Sequence, residues 1–183
     1  MRNIFFIHGV NGNSRENWFP WLKEKLEAEG NRIFIPQFPT PKGQTLKNWL
    51  KAFEPYEKYL NENSIVIGHS LGVTFLLNIL EKHKVRAAFF VAGFTGHLGK
   101  QFDDGIKTFA QRKFNWDAIR SNAKHYVIFH SDNDPYVKLK KAEELAKNLG
   151  IKICLIKNAG HFNEASGYTR FEKLFKKIKY GYL

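Results

Sequence analysis

A chain of 183 residues, 43% hydrophobic and with a single cysteine, can bury one core without a disulfide framework or a structural metal. Its net charge of +12 would also suit a polyanion binder, but the lysines are spread over several helical stretches and form no recognised nucleic-acid-binding motif. No run approaches the roughly 18 apolar residues of a membrane span, and Ile4 to Ile7 is too short for a secretory signal. The expectation is a cytoplasmic protein with no membrane partner and no specific nucleic-acid partner.

In chain order, Asn3 to Ile7 reads as a buried strand, and His8-Gly9-Val10-Asn11-Gly12-Asn13-Ser14 as a glycine-rich loop. Asn13 or Ser14 is placed to cap a helix from about Ser14 to Glu29, closed by Gly30. A second strand, Arg32 to Ile35, stops at the proline-rich loop Pro36-Gln37-Phe38-Pro39-Thr40-Pro41. Thr45 opens a helical pattern carrying Trp49 and Phe53 that should bend or break at Pro55.

The third strand ends in Gly68-His69-Ser70-Leu71-Gly72 and passes straight into the apolar segment Val73 to Leu80. A strand, a tight turn and a helix around Gly-x-Ser-x-Gly make a nucleophile elbow, in which the glycines allow close approach and the turn exposes the serine. Ser70 then stands at a helix N-terminus, where the Leu71 N–H can stabilise a developing oxyanion.

Ala87 to Ala92, His125 to Phe129 and Ile151 to Ile156 form three further strands, with a helix at about Lys138 to Leu149 before the last. Cys154 lies in that final run as a small buried hydrophobe. Near the C-terminus Phe171, Leu174, Phe175 and Ile178 mark one face of a lysine-rich helix, a pattern shared by sheet-covering and membrane-surface helices. The alternation implies an α/β fold of about six mostly parallel strands with helices on both faces, in a single domain over residues 1–183. The connection 93–124 is too long for a simple crossover and carries Phe94, Phe102, Phe109, Phe114 and Trp116, as expected of a small lid or a helical hairpin.

A lone serine is a poor nucleophile, so Ser70 needs a base, and the base an orienting acid. Ser131-Asp132-Asn133-Asp134-Pro135 follows the fifth strand and Asn158-Ala159-Gly160-His161-Phe162 the sixth. The order Ser, Asp, His is that of α/β-hydrolases, with His161 as base and Asp132 or Asp134 as acid. Asp134-Pro135 also reads as a helix cap followed by proline at the first helical position. His69 occupies the variable elbow position, His8 belongs to the first loop, and His83, His97, His125 and His130 have no acid loop placed to serve them.

If the second strand lies outside the first and the third on its other side, the first loop and the elbow face one crevice. Val10 N–H, or that of Asn11, is then the second oxyanion donor, and His8, Asn11, Phe94, Trp116 and Phe162 are candidate pocket residues. A phosphate-binding reading of Gly9-Val10-Asn11-Gly12 lacks the Gly-Lys-Ser/Thr it would need.

Ile7-His8-Gly9, the proline-rich loop with Trp49 after it, the elbow, Ser131 to Pro135 and Gly160-His161-Phe162-Asn163 together resemble the small serine hydrolases of the retinoblastoma-binding-protein-like and YdeN-like family over nearly the whole chain. The resemblance implies a compact hydrolase with the triad Ser70, Asp134 and His161, no metal or organic cofactor, and a narrow acyl pocket for a small ester or amide. The Phe-rich, basic stretch from Lys100 to Phe114 departs from that pattern. Two rival readings are a noncatalytic binding protein on the same fold and a polyanion or membrane-surface binder suggested by charge alone.

Overall fold

A computed structural model describes all residues, 1–183. Its elements are β1 (Asn3–Ile7), α1 (Phe19–Ala28), β2 (Arg32–Phe34), α2 (Leu46–Glu57), β3 (Ile65–His69), α3 (Leu71–Leu80), β4 (Val85–Val91), α4 (Lys100–Ala110), α5 (Trp116–Asn122), β5 (Ala123–Ser131), α6 (Leu139–Leu149), β6 (Ile153–Ile156) and α7 (Glu172–Tyr182). The six strands form one sheet in the order β2-β1-β3-β4-β5-β6, and every neighbouring pair is parallel.

Both faces of this sheet are covered, which is why its strands read as unbroken apolar runs. Phe5, Ile7, Val66, Ala88, Phe90 and Ile128 point to one side, against α2, α3, α4 and α6. Ile4, Phe6, Ile67, Phe89, Val91 and Phe129 point to the other, where α1 and α7 bring Phe19, Leu22, Leu26, Leu174 and Ile178. The helix after the elbow is the central one: every residue of α3 is buried. The C-terminal stripe faces the sheet, with Phe171, Leu174 and Ile178 buried and Phe175 against Trp21. No helix is long and apolar enough to cross a membrane.

Four local expectations need correction. The first helix begins at Phe19, not Ser14, with Pro20 in its first turn; a start at Ser14 would have put that proline, which lacks an N–H, inside the helix. Asn13 accordingly accepts from Arg15 N–H and caps no helix. Pro55 lies inside α2 and does not break it at once: the helix runs on to Glu57 and ends there, two residues past the proline that leaves the Lys51 carbonyl without its helical donor. Cys154 is only half-buried, because β6 is an edge strand.

The long connection forms α4 and α5. Gln44 Nε2 donates to the Gly105 carbonyl (2.7 Å), Leu46 N–H donates to Thr108 Oγ1 (3.0 Å), and Asn78 Nδ2 donates to the Phe109 carbonyl (3.3 Å). These bonds tie α4 to α2 and α3, and Ile106 and Phe109 are buried beneath it.

Candidate active site

The elbow is built by steric exclusion. Ser70 sits between β3 and α3 at φ 55° and ψ −120°, a conformation that costs on the order of 1–3 kcal/mol and persists only where the surroundings enforce it. Ser70 N–H donates to the Val91 carbonyl (2.9 Å), which fixes the turn to β4. A Cβ on Gly68 would come within 2.7 Å of Val73 N, and one on Gly72 would overlap the Ile7 carbonyl oxygen. Only glycine allows α3 to start this close to β1 and β3.

The loops after β5 and β6 are joined residue by residue. Asp132 Oδ1 accepts from Asn158 N–H (2.8 Å), Ser131 Oγ from Ala159 N–H (2.9 Å) and Asn133 Oδ1 from Gly160 N–H (2.8 Å). The last rung is between side chains: His161 Nδ1 and Asp134 Oδ2 are 2.8 Å apart. Asn158, Gly160 and Phe162 all have φ between 53° and 56°, so this ladder holds a tightly coiled segment. The other Asp134 oxygen accepts from the N–H groups of Tyr136 and Val137, both at 2.9 Å. Burial pushes the Asp134 carboxyl up, but the hydrogen bond and charge of His161, together with those two N–H groups, outweigh it and leave the group below the usual carboxylate range.

Two residues that pattern reasoning passed over finish the arrangement. His69 Nε2–H donates to the His161 carbonyl (2.8 Å), and Trp18 Nε1–H donates to the next carbonyl, that of Phe162 (3.0 Å). Burial, and then the charge of His161, lower the His69 pKa to about 3, so its imidazole stays neutral and its Nε2 stays a donor. Tyr136 lies edge-on to the His161 ring at 5.0 Å.

The first loop packs directly on the elbow: a Cβ on Gly9 would lie 2.9 Å from Ser70 Cβ and 3.4 Å from Ser70 Oγ. Val10 N–H has no hydrogen-bond partner, whereas Asn11 N–H is taken by Thr40 Oγ1 at 2.8 Å. Leu71, first residue of α3, has no intrahelical acceptor for its N–H. Of the two first-loop donors weighed from sequence, Val10 is therefore the available one.

Ser70, His161, Val10, Asn11 and Phe94 line a common cavity of about 540 Å³. The Ser70 hydroxyl makes no hydrogen bond to His161; such contacts are commonly long in unliganded enzymes and tighten in the complex. One wall is apolar, made by Phe94, Leu98, Phe102 and Ile106. A polar end is made by Glu16, Asn17 and Asn163 beside the His161 loop, where Asn17 Oδ1 accepts from Glu164 N–H (2.9 Å). Burial raises the Glu16 pKa, opposed by the Asn13 backbone N–H and the charge of His161.

Three candidate pocket residues lie elsewhere. His8 is fully buried: its Nδ1–H donates to the Gly9 carbonyl (2.9 Å), its Nε2 accepts from Phe38 N–H (3.0 Å), and burial lowers its pKa. It is a joint between the first loop and the proline-rich loop. Phe162 is fully buried, stacked on Phe171 beneath the sheet. Trp116 opens α5 and packs against Phe114, because α4 and not α5 forms the cavity wall. No three His, Cys, Asp or Glu side chains converge to hold a metal ion.

A parallel sheet in this strand order, with a strained serine elbow facing a histidine loop, defines an α/β-hydrolase. The family model for serine hydrolases matches residues 4–180, and the chain belongs to that family; it is an enzyme with hydrolase activity. It is 31% identical to the YdeN hydrolase of Bacillus subtilis over 172 residues (92% of this chain, 90% of the relative), and 29% identical to the rat serine hydrolase RBBP9 over 163 residues (88% and 84%). The crystal structure of the B. subtilis ydeN gene product superposes with a TM-score of 0.90 over 98% of both chains, at 29% identity. Est1E from Butyrivibrio proteoclasticus, solved with ferulic acid bound, shares the fold at a TM-score of 0.71 and 17% identity, over 98% of this chain and 90% of its own.

Proposed function

We propose that this hydrolase cleaves small carboxylic esters, and small amides by the same route, through an acyl-enzyme on Ser70. The observation that carries the reading is the buried 2.8 Å contact between Asp134 and His161 at the edge of the cavity that holds Ser70. Ser70 Oγ attacks the carbonyl carbon while His161 Nε2 takes its proton. Asp134 holds Nδ1–H, fixing the tautomer and stabilising the imidazolium. The backbone N–H groups of Leu71 and Val10 meet the oxyanion, and one such donor is worth about 3–4 kcal/mol in known serine hydrolases. His161 then returns the proton to the leaving oxygen or nitrogen, and water, activated by the same imidazole, releases the acid and restores Ser70. His69 acts as a positioning residue, through its bond to the His161 carbonyl. Within the long connection, α4 and the segment before it close one side of the cavity as a lid, and Cys154, a free thiol, suits a reducing cytoplasm.

The apolar wall is the natural acyl site, and the rest of the lining is largely polar, with the amides Asn11, Gln44 and Gln101 in it. Each methylene that reaches it gains about 0.8 kcal/mol, but a longer chain soon runs into amide side chains or water. On p-nitrophenyl esters, kcat/KM is expected to peak between acetate and butyrate and to fall roughly tenfold or more by dodecanoate. A steady climb to dodecanoate would overturn the short-acyl assignment.

A further inference from the structure

The cavity of this strongly basic protein is lined by no lysine and no arginine, although the chain carries 29 of them. The charged side chain placed at its polar end is a carboxylate, Glu16, half-buried and engaged in no ion pair within the protein. Its Oε1 lies against Gly12, where a Cβ would be only 2.5 Å away, so the first loop leaves room for the carboxyl group at this spot. Around it stand Asn17 and Asn163, with His161 close enough to lower the Glu16 pKa by its charge, against the larger effect of burial. A carboxylate removed from water without a cation is costly, and the charge is most stable when a ligand brings the partner.

We infer that Glu16 forms a cation subsite, and that the preferred substrates carry a positively charged nitrogen on the alcohol or amine portion that departs. The side follows from the layout. Asn163 is two residues on from His161, Asn17 is bonded to the same loop through Glu164 N–H, and Glu16 is within reach of the His161 charge; since His161 must protonate the leaving atom, the departing portion lies on this side. The apolar wall of Phe94, Leu98, Phe102 and Ile106 is left for the acyl chain. An ammonium group beside Glu16 gains a partly desolvated ion pair, whereas an uncharged group of the same shape leaves the carboxylate unpaired, and discrimination comes from that difference. This inference rests on the serine-hydrolase reading and adds the charge of the substrate to it.

Butyrylcholine and 3,3-dimethylbutyl butyrate test it, because they share the acyl group and the shape of the alcohol and differ by one positive charge. Wild-type enzyme is expected to favour the cationic ester by about tenfold or more in kcat/KM, mainly through KM, the scale of one partly screened ion pair. Glu16→Gln should bring the ratio toward one, Glu16→Lys should reverse it, and Glu16→Asp should keep part of it, a graded order that loss of a structural contact would not produce. Hydrolysis of both esters at a ratio that Glu16→Gln leaves unchanged would overturn the cation subsite and leave the hydrolase standing. Failure of the wild type to hydrolyse either ester would contradict the ester-hydrolase reading, and the subsite assignment would fall with it.

Discussion

Replacing Ser70 or His161 by alanine should lower ester turnover by on the order of 10⁴- to 10⁶-fold, and the double variant should lose scarcely more than either single one. In the proposed mechanism nucleophile and base act in one transition state, so removing one leaves the other nothing to do. Ser70→Ala should keep its fold: both residues carry a Cβ and tolerate the φ of 55° equally, and the lost hydroxyl faces the cavity. His161→Ala takes a partner from buried Asp134, which retains the N–H bonds from Tyr136 and Val137. That loss is worth about 1–3 kcal/mol, or roughly 2–10 °C in melting temperature for a chain of this size. Steady-state kinetics on the single and double variants, beside thermal melts, check both halves, and multiplicative losses would contradict a shared mechanism.

The second large effect separates two neighbouring carboxylates. Asp134→Asn should melt within a few degrees of wild type yet lose about a thousandfold or more in kcat, as when asparagine replaces the triad aspartate of a known serine protease. An asparagine Oδ1 can still accept from Tyr136 and Val137 N–H, so the turn survives. Its Nδ2, however, would present a donor where His161 Nδ1–H needs an acceptor, and the imidazole would be held in the wrong tautomer. Asp132→Asn should stay within about tenfold, because its contact is with Asn158 N–H, which an amide oxygen accepts equally well. Inactivity of Asp132→Asn with activity of Asp134→Asn would reverse the assignment. The cap reading of Asp134-Pro135 is half right in structural terms: Asp134 caps the turn at residues 135–137, while α6 starts later, at Leu139.

The sheet was legible because both its faces are covered, so each strand stands out as an apolar run between turn residues, and the elbow because Gly68 and Gly72 punctuate a strand-to-helix passage. The pocket was legible only in part. Aromatic composition in the 93–124 connection does not say which helix faces the cavity, and Trp116, at the start of α5, turned out to pack on Phe114. His8 and Phe162 sit in loops that reach the rim, but their rings fill the interior, a distinction that depends on side-chain direction and not on position in the chain. His69 and Trp18 act on backbone carbonyls 92 and 144 residues away, and no spacing motif records such contacts. The ladder from Ser131, Asp132 and Asn133 is similar: its acceptors sit beside the acid in sequence, but the N–H groups they hold are a whole helix and strand further on.

The central claim is that Ser70 is a nucleophile activated within this site. A fluorophosphonate probe tests it most directly, because it mimics the tetrahedral intermediate and bonds only to an activated serine. Intact mass and peptide mapping should show one adduct per chain, on the peptide bearing Ser70, absent in Ser70→Ala and formed far more slowly in His161→Ala. An unlabelled wild-type chain, or an adduct that persists on another serine in Ser70→Ala, would contradict the account.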